Sequence, residues 1–246
     1  MNHTRESTMK ARDVMAFPII TVKPSSSIEE VAKTFVQHRI SGAPVVDDAG
    51  KLVGVISEGD LLFRSEIGTG RPHPYWYLEY AGKEHLAAEY VKARARKTAD
   101  VMTRKVVTAS PDTSLNDIAA LLENNSIKRV PIIENGELVG IVSRANLIQA
   151  LTSAPARLDI TPADTALRLK LLRHLAEEPW ADTSRLNVIV HDGLVELWGS
   201  VDSDVEKQAV RIAAESMEGV RAVIDHLIVE SRGAVPKAPE RDITTR

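Results

Sequence analysis

The rhythm of apolar and polar positions changes several times along the chain. Behind Ser27, the apolar residues Ile28, Val31, Ala32 and Phe35 recur at helical spacing, and Ser27 with Glu30 has the spacing of a capping box, which predicts a helix to His38. The pattern then turns β-like. Val45 and Val46 make a short apolar strand, Asp47 to Gly50 supply turn residues that tolerate positive φ, and Leu52 to Ile56 make a second strand rich in β-branched residues. Ser57 stands where a helix would begin, with Asp60 following at capping-box spacing. The succession then returns. Leu115, Ile118, Ala119 and Leu122 repeat the helical face behind Ser114, and Lys128-Arg129-Val130-Pro131-Ile132-Ile133 repeats the first strand with one residue deleted from the turn that follows. Ser143 and Asn146 then stand in the places of Ser57 and Asp60. Upstream, Asp13-Val14-Met15 recurs as Asp100-Val101-Met102, and Thr21-Val22-Lys23-Pro24 as Thr108-Ala109-Ser110-Pro111. Two copies of about fifty residues predict one module with two pseudo-symmetric halves.

A third pattern follows a linker at 153–164 that contains two prolines. Leu167, Leu171 and Leu175 mark a helix, while Leu186, Val188 and Val190 alternate as a strand. His191-Asp192-Gly193 is an Asp-Gly hairpin turn, Leu194 to Trp198 is the returning strand, Val205 to Met217 a second helix, and Val223 to Val229 a last strand. The resulting α-β-β-α-β set and the proline-bearing linker predict a separable unit. Between the two copies, residues 67–97 exceed a simple linker. They hold Tyr75, Trp76, Tyr77 and Tyr80, then a predicted helix from Lys83 to Lys97 with Lys92, Arg94, Arg96 and Lys97 at its end. The aromatics read either as a packed cap or as a contact surface. The basic helix end reads either as a solvated face that suits the helix dipole or as a phosphate site.

The ordered motifs of the repeat, Asp13-Val14-Met15, Thr21 to Pro24, Ser41-Gly42-Ala43-Pro44-Val45-Val46-Asp47 and Leu52-Val53-Gly54-Val55-Ile56-Ser57 with Asp60-Leu61, resemble the cystathionine-β-synthase (CBS) domain. Two such domains in tandem make a CBS pair, or Bateman module. The stretch Phe35 to Ser41, with His38-Arg39-Ile40, also resembles CBS motifs of the γ subunit of AMP-activated protein kinase. The third pattern, with Val188, Val190, Asp192-Gly193, Val195, Leu197, Gly199 and Val201, resembles the BON domain, a family associated with phospholipid binding or tethering. The fold class expected is therefore α/β and α+β: a tandem CBS pair of pseudo-two-fold β-α-β-β-α repeats, then a small α-β-β-α-β BON domain. The expected boundaries are a tail at 1–10, repeats at 11–66 and 98–152 around the insertion, the BON domain at 165–231 and a disordered tail at 232–246.

The CBS resemblance implies an adenine nucleotide as regulatory ligand, with AMP, ADP, ATP and S-adenosylmethionine left undistinguished. It implies an adenine against Thr21, Val22, Ile40 and Ser41, and against their counterparts Thr108, Ile127 and Lys128, with each cleft drawing on both repeats. The residues add a chemical reason. Asp60 at a fixed helix start can accept both hydroxyl protons of a ribose, Ser57 and neighbouring N–H groups can meet a phosphate, and His38, Arg39, Lys128 and Arg129 are available cations. Ser143 and Asn146 are the second set, where an amide replaces the carboxylate. In the competing reading, Ser57 and Asp60 only cap a helix, and Lys128 and Arg129 are only solvated.

Composition narrows the classes. Among 246 residues there is no cysteine, which removes disulfides and thiolate chemistry, and a net charge of -3 does not point to nucleic acid. The seven histidines show no metal-binding spacing, and no nucleophile elbow, Walker loop or glycine-rich dinucleotide fingerprint is present, so no catalytic residue and no metal is expected. Residues 1–10 lack the apolar core of a signal peptide, and no run of about eighteen apolar residues occurs, so the expected address is the cytoplasm. The expected protein is a non-enzymatic homodimer, paired through its CBS modules. Its BON domain would meet an unknown protein partner or a phospholipid surface. The alternative is a structural or interaction module with empty clefts.

Overall fold

The computed structural model describes residues 9–70, 81–153 and 160–230. The predicted aromatic cluster at 75–80 lies outside these residues, as do residues 154–159 of the proline-bearing linker, residues 1–8 of the first predicted tail and all of the second.

Each repeat carries a short helix, a longer amphipathic helix and a two-stranded antiparallel sheet. In the first repeat these are α1 (Ala11–Val14), α2 (Ile28–His38), β1 (Gly42–Val46), β2 (Leu52–Ser57) and the single turn α3 (Glu58–Leu61). The insertion contributes α4 (Lys83–Arg94). The second repeat has α5 (Thr98–Val101), α6 (Leu115–Asn124), β3 (Arg129–Glu134), β4 (Glu137–Ser143) and α7 (Arg144–Ser153). The helix caps form as the spacing requires, a full capping box at Ser27 and a hydroxyl N-cap at Ser114. Ser27 Oγ accepts from Glu30 N at 3.1 Å while Ser27 N donates to the Glu30 carboxylate at 2.7 Å, and Ser114 Oγ accepts from Asp117 N at 3.1 Å. The first strand expected in each repeat is reduced to a one-residue parallel bridge, Val22 with Val45 and Ala109 with Ile132.

The packing is crossed between the copies. Ala11, Val14 and Met15 belong to the core of the second repeat, with Ile118, Leu122, Val130 and Val142. Val101 and Met102 belong to the core of the first, with Val31, Phe35, Val45 and Ile56. Main-chain pairing follows the same exchange: Ala16 bridges Ile141, and Val55 bridges Thr103. This explains a glycine shared by both copies. A Cβ on Gly54 would sit 2.6 Å from Met102 Sδ, and a Cβ on Gly140 would strike Met15 in the same way. The methionine of each copy therefore needs the glycine of the other, because close-packed interiors leave no room for an added methyl.

The helix predicted to reach Lys97 ends at Arg94. Its last turn is replaced by extended chain that pairs with the first repeat. Arg96 O accepts from Ile28 N at 3.0 Å, and Ser26 O accepts from Thr98 N at 2.9 Å.

The C-terminal unit has the expected order: α8 (Pro162–Glu177), β5 (Leu186–His191), β6 (Leu194–Val201), α9 (Asp204–Glu215) and β7 (Ala222–Val229). The sheet order is β5-β6-β7, with the first pair antiparallel and the second parallel. Asp192 and Gly193 both take positive φ, as a tight hairpin demands. Leu171, Leu175, Val188, Val190, Leu197 and Val210 form its core. Alternation predicts a β5 buried on one face, yet Asn187 and Ile189 are buried as well, at 4% and 0% exposure. Their face lies against α1 and α7 of the repeat pair. Arg168 of α8, 1% exposed, fastens this contact: Nε donates to Val188 O at 2.6 Å, Nη1 to Arg12 O at 3.2 Å, and Nη2 to Met15 O. Phe17 of the first repeat also packs on the C-terminal core.

Candidate functional site

Two clefts lie between the repeats, each built from one repeat's strand-to-helix corner and the other repeat's apolar strand edge. The first, of about 310 Å³, joins Ser57 and Asp60 to Val107, Ile127, Lys128 and Pro131. The second, of about 320 Å³, joins Ser143 and Asn146 to Ile19, Ile20, Ile40 and Pro44. Both volumes fall at the lower end of small-molecule sites, roughly 300–1,000 Å³. Each offers a β-branched slot for a flat apolar group and a polar corner at one end.

In the first corner Asp60 is fully engaged. One carboxylate oxygen accepts from Ser57 N and Ser57 Oγ, both at 3.0 Å, and the other accepts from Lys92 Nζ of α4 at 3.1 Å. The helix behind it is one turn long, so its dipole adds little and the carboxylate dominates. Beside it, Lys128 Nζ contacts the Glu58 carboxylate at 2.7 Å across the repeat boundary. That hydrogen bond holds the Glu58 carboxyl below its ordinary pKa; burial opposes it, and the charges of Lys128 and Arg129 add to the lowering. In the second corner, Asn146 Oδ1 accepts from Ser143 N at 2.8 Å and Ser143 Oγ at 2.7 Å. The local geometry of the two corners is the same, and the charge differs.

Arg129 connects the clefts. It lines both, and its guanidinium donates to Ser41 Oγ at 2.5 Å across the pseudo-dyad. Gly42 holds the position in the first repeat that Arg129 holds in the second. A Cβ there would overlap the Arg129 guanidinium and lie 2.8 Å from Ile56 O. Burial pushes the Arg129 pKa down, and Glu58 opposes this.

Of the residues expected at the sites, the first cleft gathers Ser41, Ser57, Asp60, Ile127, Lys128 and Arg129. The second gathers Arg39, Ile40, Ser41, Arg129, Ser143 and Asn146. Thr21 and Thr108 are exposed and Val22 is buried in the first core; none of the three lines a cleft. Their places are taken by Ile19 with Ile20 and Val106 with Val107, two residues earlier in extended chain. The signal for this shift is an apolar pair at equivalent positions of both copies. His38 lines a neighbouring groove with Trp198 and His226, whose rings stack 3.9 Å apart. Ser184, Arg185, Leu186 and Asn187 of the C-terminal unit also line the second cleft. They stand outside the repeats, so repeat comparison has no way to find them. Among the described residues no cluster of His, Asp and Glu could hold a metal ion, and no helix is long and apolar enough to cross a membrane.

The CBS domain family model matches residues 11–66 and 99–153, and the BON domain family model matches residues 163–231. The chain is 38% identical over 154 residues to the uncharacterized protein MJ1426 of Methanocaldococcus jannaschii, covering 58% of this chain and 91% of that one. It is 33% identical over 135 residues to the chloroplastic CBS domain-containing protein CBSX1 of Arabidopsis thaliana, covering 52% of this chain and 57% of that one. Among solved structures, the crystal structure of CBSX2 in complex with AMP superposes with a TM-score of 0.51 at 30% identity, over 58% of this chain and 97% of that one.

Proposed function

We propose that this chain, which belongs to the CBS-domain family and carries a BON domain behind its CBS pair, is a non-enzymatic regulatory protein whose clefts bind an adenine nucleotide and whose BON domain passes the bound state to a partner. The observation that carries this reading is the crossed construction of the two clefts. Each combines an apolar slot from one repeat with a Ser-x-x-Asp or Ser-x-x-Asn corner from the other. A nucleoside spanning slot and corner touches both repeats at once. It therefore favours one relative placement of the repeats over another, which is how a ligand shifts a conformational equilibrium. The AMP complex of CBSX2 supports adenosine as the ligand's core. In the first cleft the ribose hydroxyls would take Asp60 from Lys92, and the released ammonium would be placed for a phosphate. The ligand class stays at AMP, ADP, ATP or S-adenosylmethionine. A homodimer through the CBS modules and a cytoplasmic address belong to the same reading.

One observation favours the second reading, an interaction module whose clefts stay empty. Asp60 and Glu58 of the first cleft are already satisfied by Lys92 and Lys128. Thermal melting separates the two. A specific nucleotide at a hundred times its Kd should stabilise the chain by about 2.7 kcal/mol, and a melting temperature indifferent to all four compounds at millimolar concentration leaves the empty-cleft reading standing.

A further inference from the structure

The second cleft is walled partly by the BON domain, which no family relation between the two domains requires. Leu186 and Asn187, each 4% exposed, approach it from β5. Asn187 Nδ2 donates to Gln149 Oε1 of α7 at 2.7 Å, which ties the wall to the helix that carries Asn146. The other end of the same amide, Asn187 Oδ1, is buried with no hydrogen-bond partner. Buried acceptors are nearly always paired, so an open one in a cleft wall marks a place where a donor is expected. Reversing both amides only exchanges the open acceptor for an open donor; one end stays unpaired in either orientation.

The charge inventory adds a second, independent observation. Among the described residues, the lining of this cleft carries Arg39, Arg129 and Arg185 and no carboxylate, whereas the first cleft sets Glu58 and Asp60 beside Lys105, Lys128 and Arg129. Two of the three cations have partners set back from the lining. Arg185 contacts Asp182 at 3.2 Å and Asp202 at 2.8 Å, and Arg39 contacts Glu230. Arg129 is held by the neutral Ser41 hydroxyl.

We infer that the second cleft is a composite site, completed by the BON domain, which takes a phosphate-bearing adenosine ligand: Asn187 accepts from an amino or hydroxyl group of the ligand, and Arg129 with Arg39 receives the phosphate. The inference rests on the nucleotide reading of the CBS pair and adds to it a physical route of output. A ligand that touches Ile20, Asn146 and Asn187 together binds the docked arrangement of the two domains better than an undocked one. Occupancy and docking are then coupled, each strengthening the other by the same factor.

The test is calorimetric titration of AMP and of ATP into the full chain, alongside Asn187→Asp, Asp60→Ala and the double variant. Asp60→Ala isolates the second cleft. In that background, Asn187→Asp keeps an acceptor but removes the amide N–H that donates to Gln149 Oε1 and adds a negative charge to the cleft that takes the phosphate, so it should weaken binding about tenfold or more. In the parent, the same change should leave the first-cleft phase unaltered. Hydrogen exchange on the parent chain gives an answer that needs no variant: AMP or ATP should slow exchange across residues 183–187. Unaltered second-cleft affinity in a folded Asn187→Asp chain overturns the composite site, as does protection confined to the CBS pair, while either result leaves the nucleotide reading intact. A single phase that Asp60→Ala abolishes overturns it as well. Absence of any nucleotide binding by the parent chain removes the reading beneath the inference, and the inference falls with it.

Discussion

Replacing Arg168 by methionine should weaken the whole molecule and uncouple its two parts. The guanidinium is 1% exposed and donates to three main-chain carbonyls. The bond to Val188 O lies within the BON domain, and the bonds to Arg12 O and Met15 O cross to the CBS pair. Burial pushes the pKa down from its ordinary value to about 10, with the charge of Asp13 opposing. At about 1.4 kcal/mol per pH unit, holding the buried charge costs on the order of 3 kcal/mol. Each hydrogen bond from a charged donor contributes about 1.5–3 kcal/mol, so the three together contribute roughly 4.5–9 kcal/mol. Methionine fills most of the same volume, loses the three bonds and relieves the charge burial. The net loss is roughly 2–6 kcal/mol, most of it across the boundary between domains.

Urea unfolding followed by circular dichroism and tryptophan fluorescence measures this. The parent should unfold in one coincident transition, and Arg168→Met should show an earlier midpoint and two separate transitions. The sign of the pH dependence follows from the lowered pKa. Between about pH 10 and the ordinary arginine value, the unfolded chain holds a proton that the folded chain has released, so parent stability rises with pH in that window. The variant lacks this gain, so the gap between the two should widen above pH 10. An unchanged midpoint with a single transition, or a gap that narrows above pH 10, would refute the account of Arg168 as the fastening between domains.

Gly54→Ala should lower stability by about 1–3 kcal/mol through overpacking against Met102, and a melting temperature equal to the parent's would contradict the crossed packing of the repeats. Burial pushes the Asp164 carboxyl up, but hydrogen bonds from Gly193 N, Thr161 Oγ1 and Thr161 N outweigh it and hold the pKa below 3.8. Its stabilisation is therefore present above that pH and lost as pH falls through the lowered value, so Asp164→Asn should destabilise at pH 7 and cost progressively less in acid. A destabilisation independent of pH would assign the effect to packing instead. Light scattering at micromolar concentration should give twice the mass of one chain, and a monomeric mass would remove the proposed CBS-mediated homodimer.

What is legible in this sequence is what one turn or one hairpin decides. The Ser27 and Glu30 box and the Asp192-Gly193 hairpin involve atoms close in sequence, and both form as the residues require. The repeat itself is legible, and with it the family. The crossed packing is harder to read, because Val14-Met15 and Val101-Met102 are the same motif and either copy could fill either core. Only chain connectivity, with Ala16 against Ile141 and Thr103 against Val55, decides. The shift from Thr21 to Ile19 and Ile20 is a matter of register in extended chain, where one strand shows no preference until its partner is placed. Lys92 and Asp60 meet because the insertion returns α4 to the first corner, and charge pattern alone cannot see such a return. Asn187 reads as a solvent-facing residue of an alternating strand; its burial depends on a neighbouring domain.

These long-range contacts change the meaning of the one chemical difference between the corners. In isolation, Asp60 against Asn146 suggests a stronger ribose site beside a weaker copy, since a carboxylate accepts hydroxyl protons better than an amide oxygen. Asp60, however, meets its ligand only after giving up Lys92, and in its cleft Glu58 and Asp60 offset the cations Lys105, Lys128 and Arg129, so added phosphate charge is favoured less there. Asn146 is 7% exposed, and a carboxylate at that depth would need a counter-ion of its own or stay protonated. With the amide in place, the cleft keeps three guanidinium groups and no lining carboxylate among the described residues. The substitution therefore exchanges strength at the ribose for tolerance of anionic charge, and it does so in the cleft that touches the BON domain. Under the proposed nucleotide binding, the first corner would suit the nucleoside that both repeats share, and the second would suit discrimination by phosphate number, where a difference between ligands can reach the C-terminal domain.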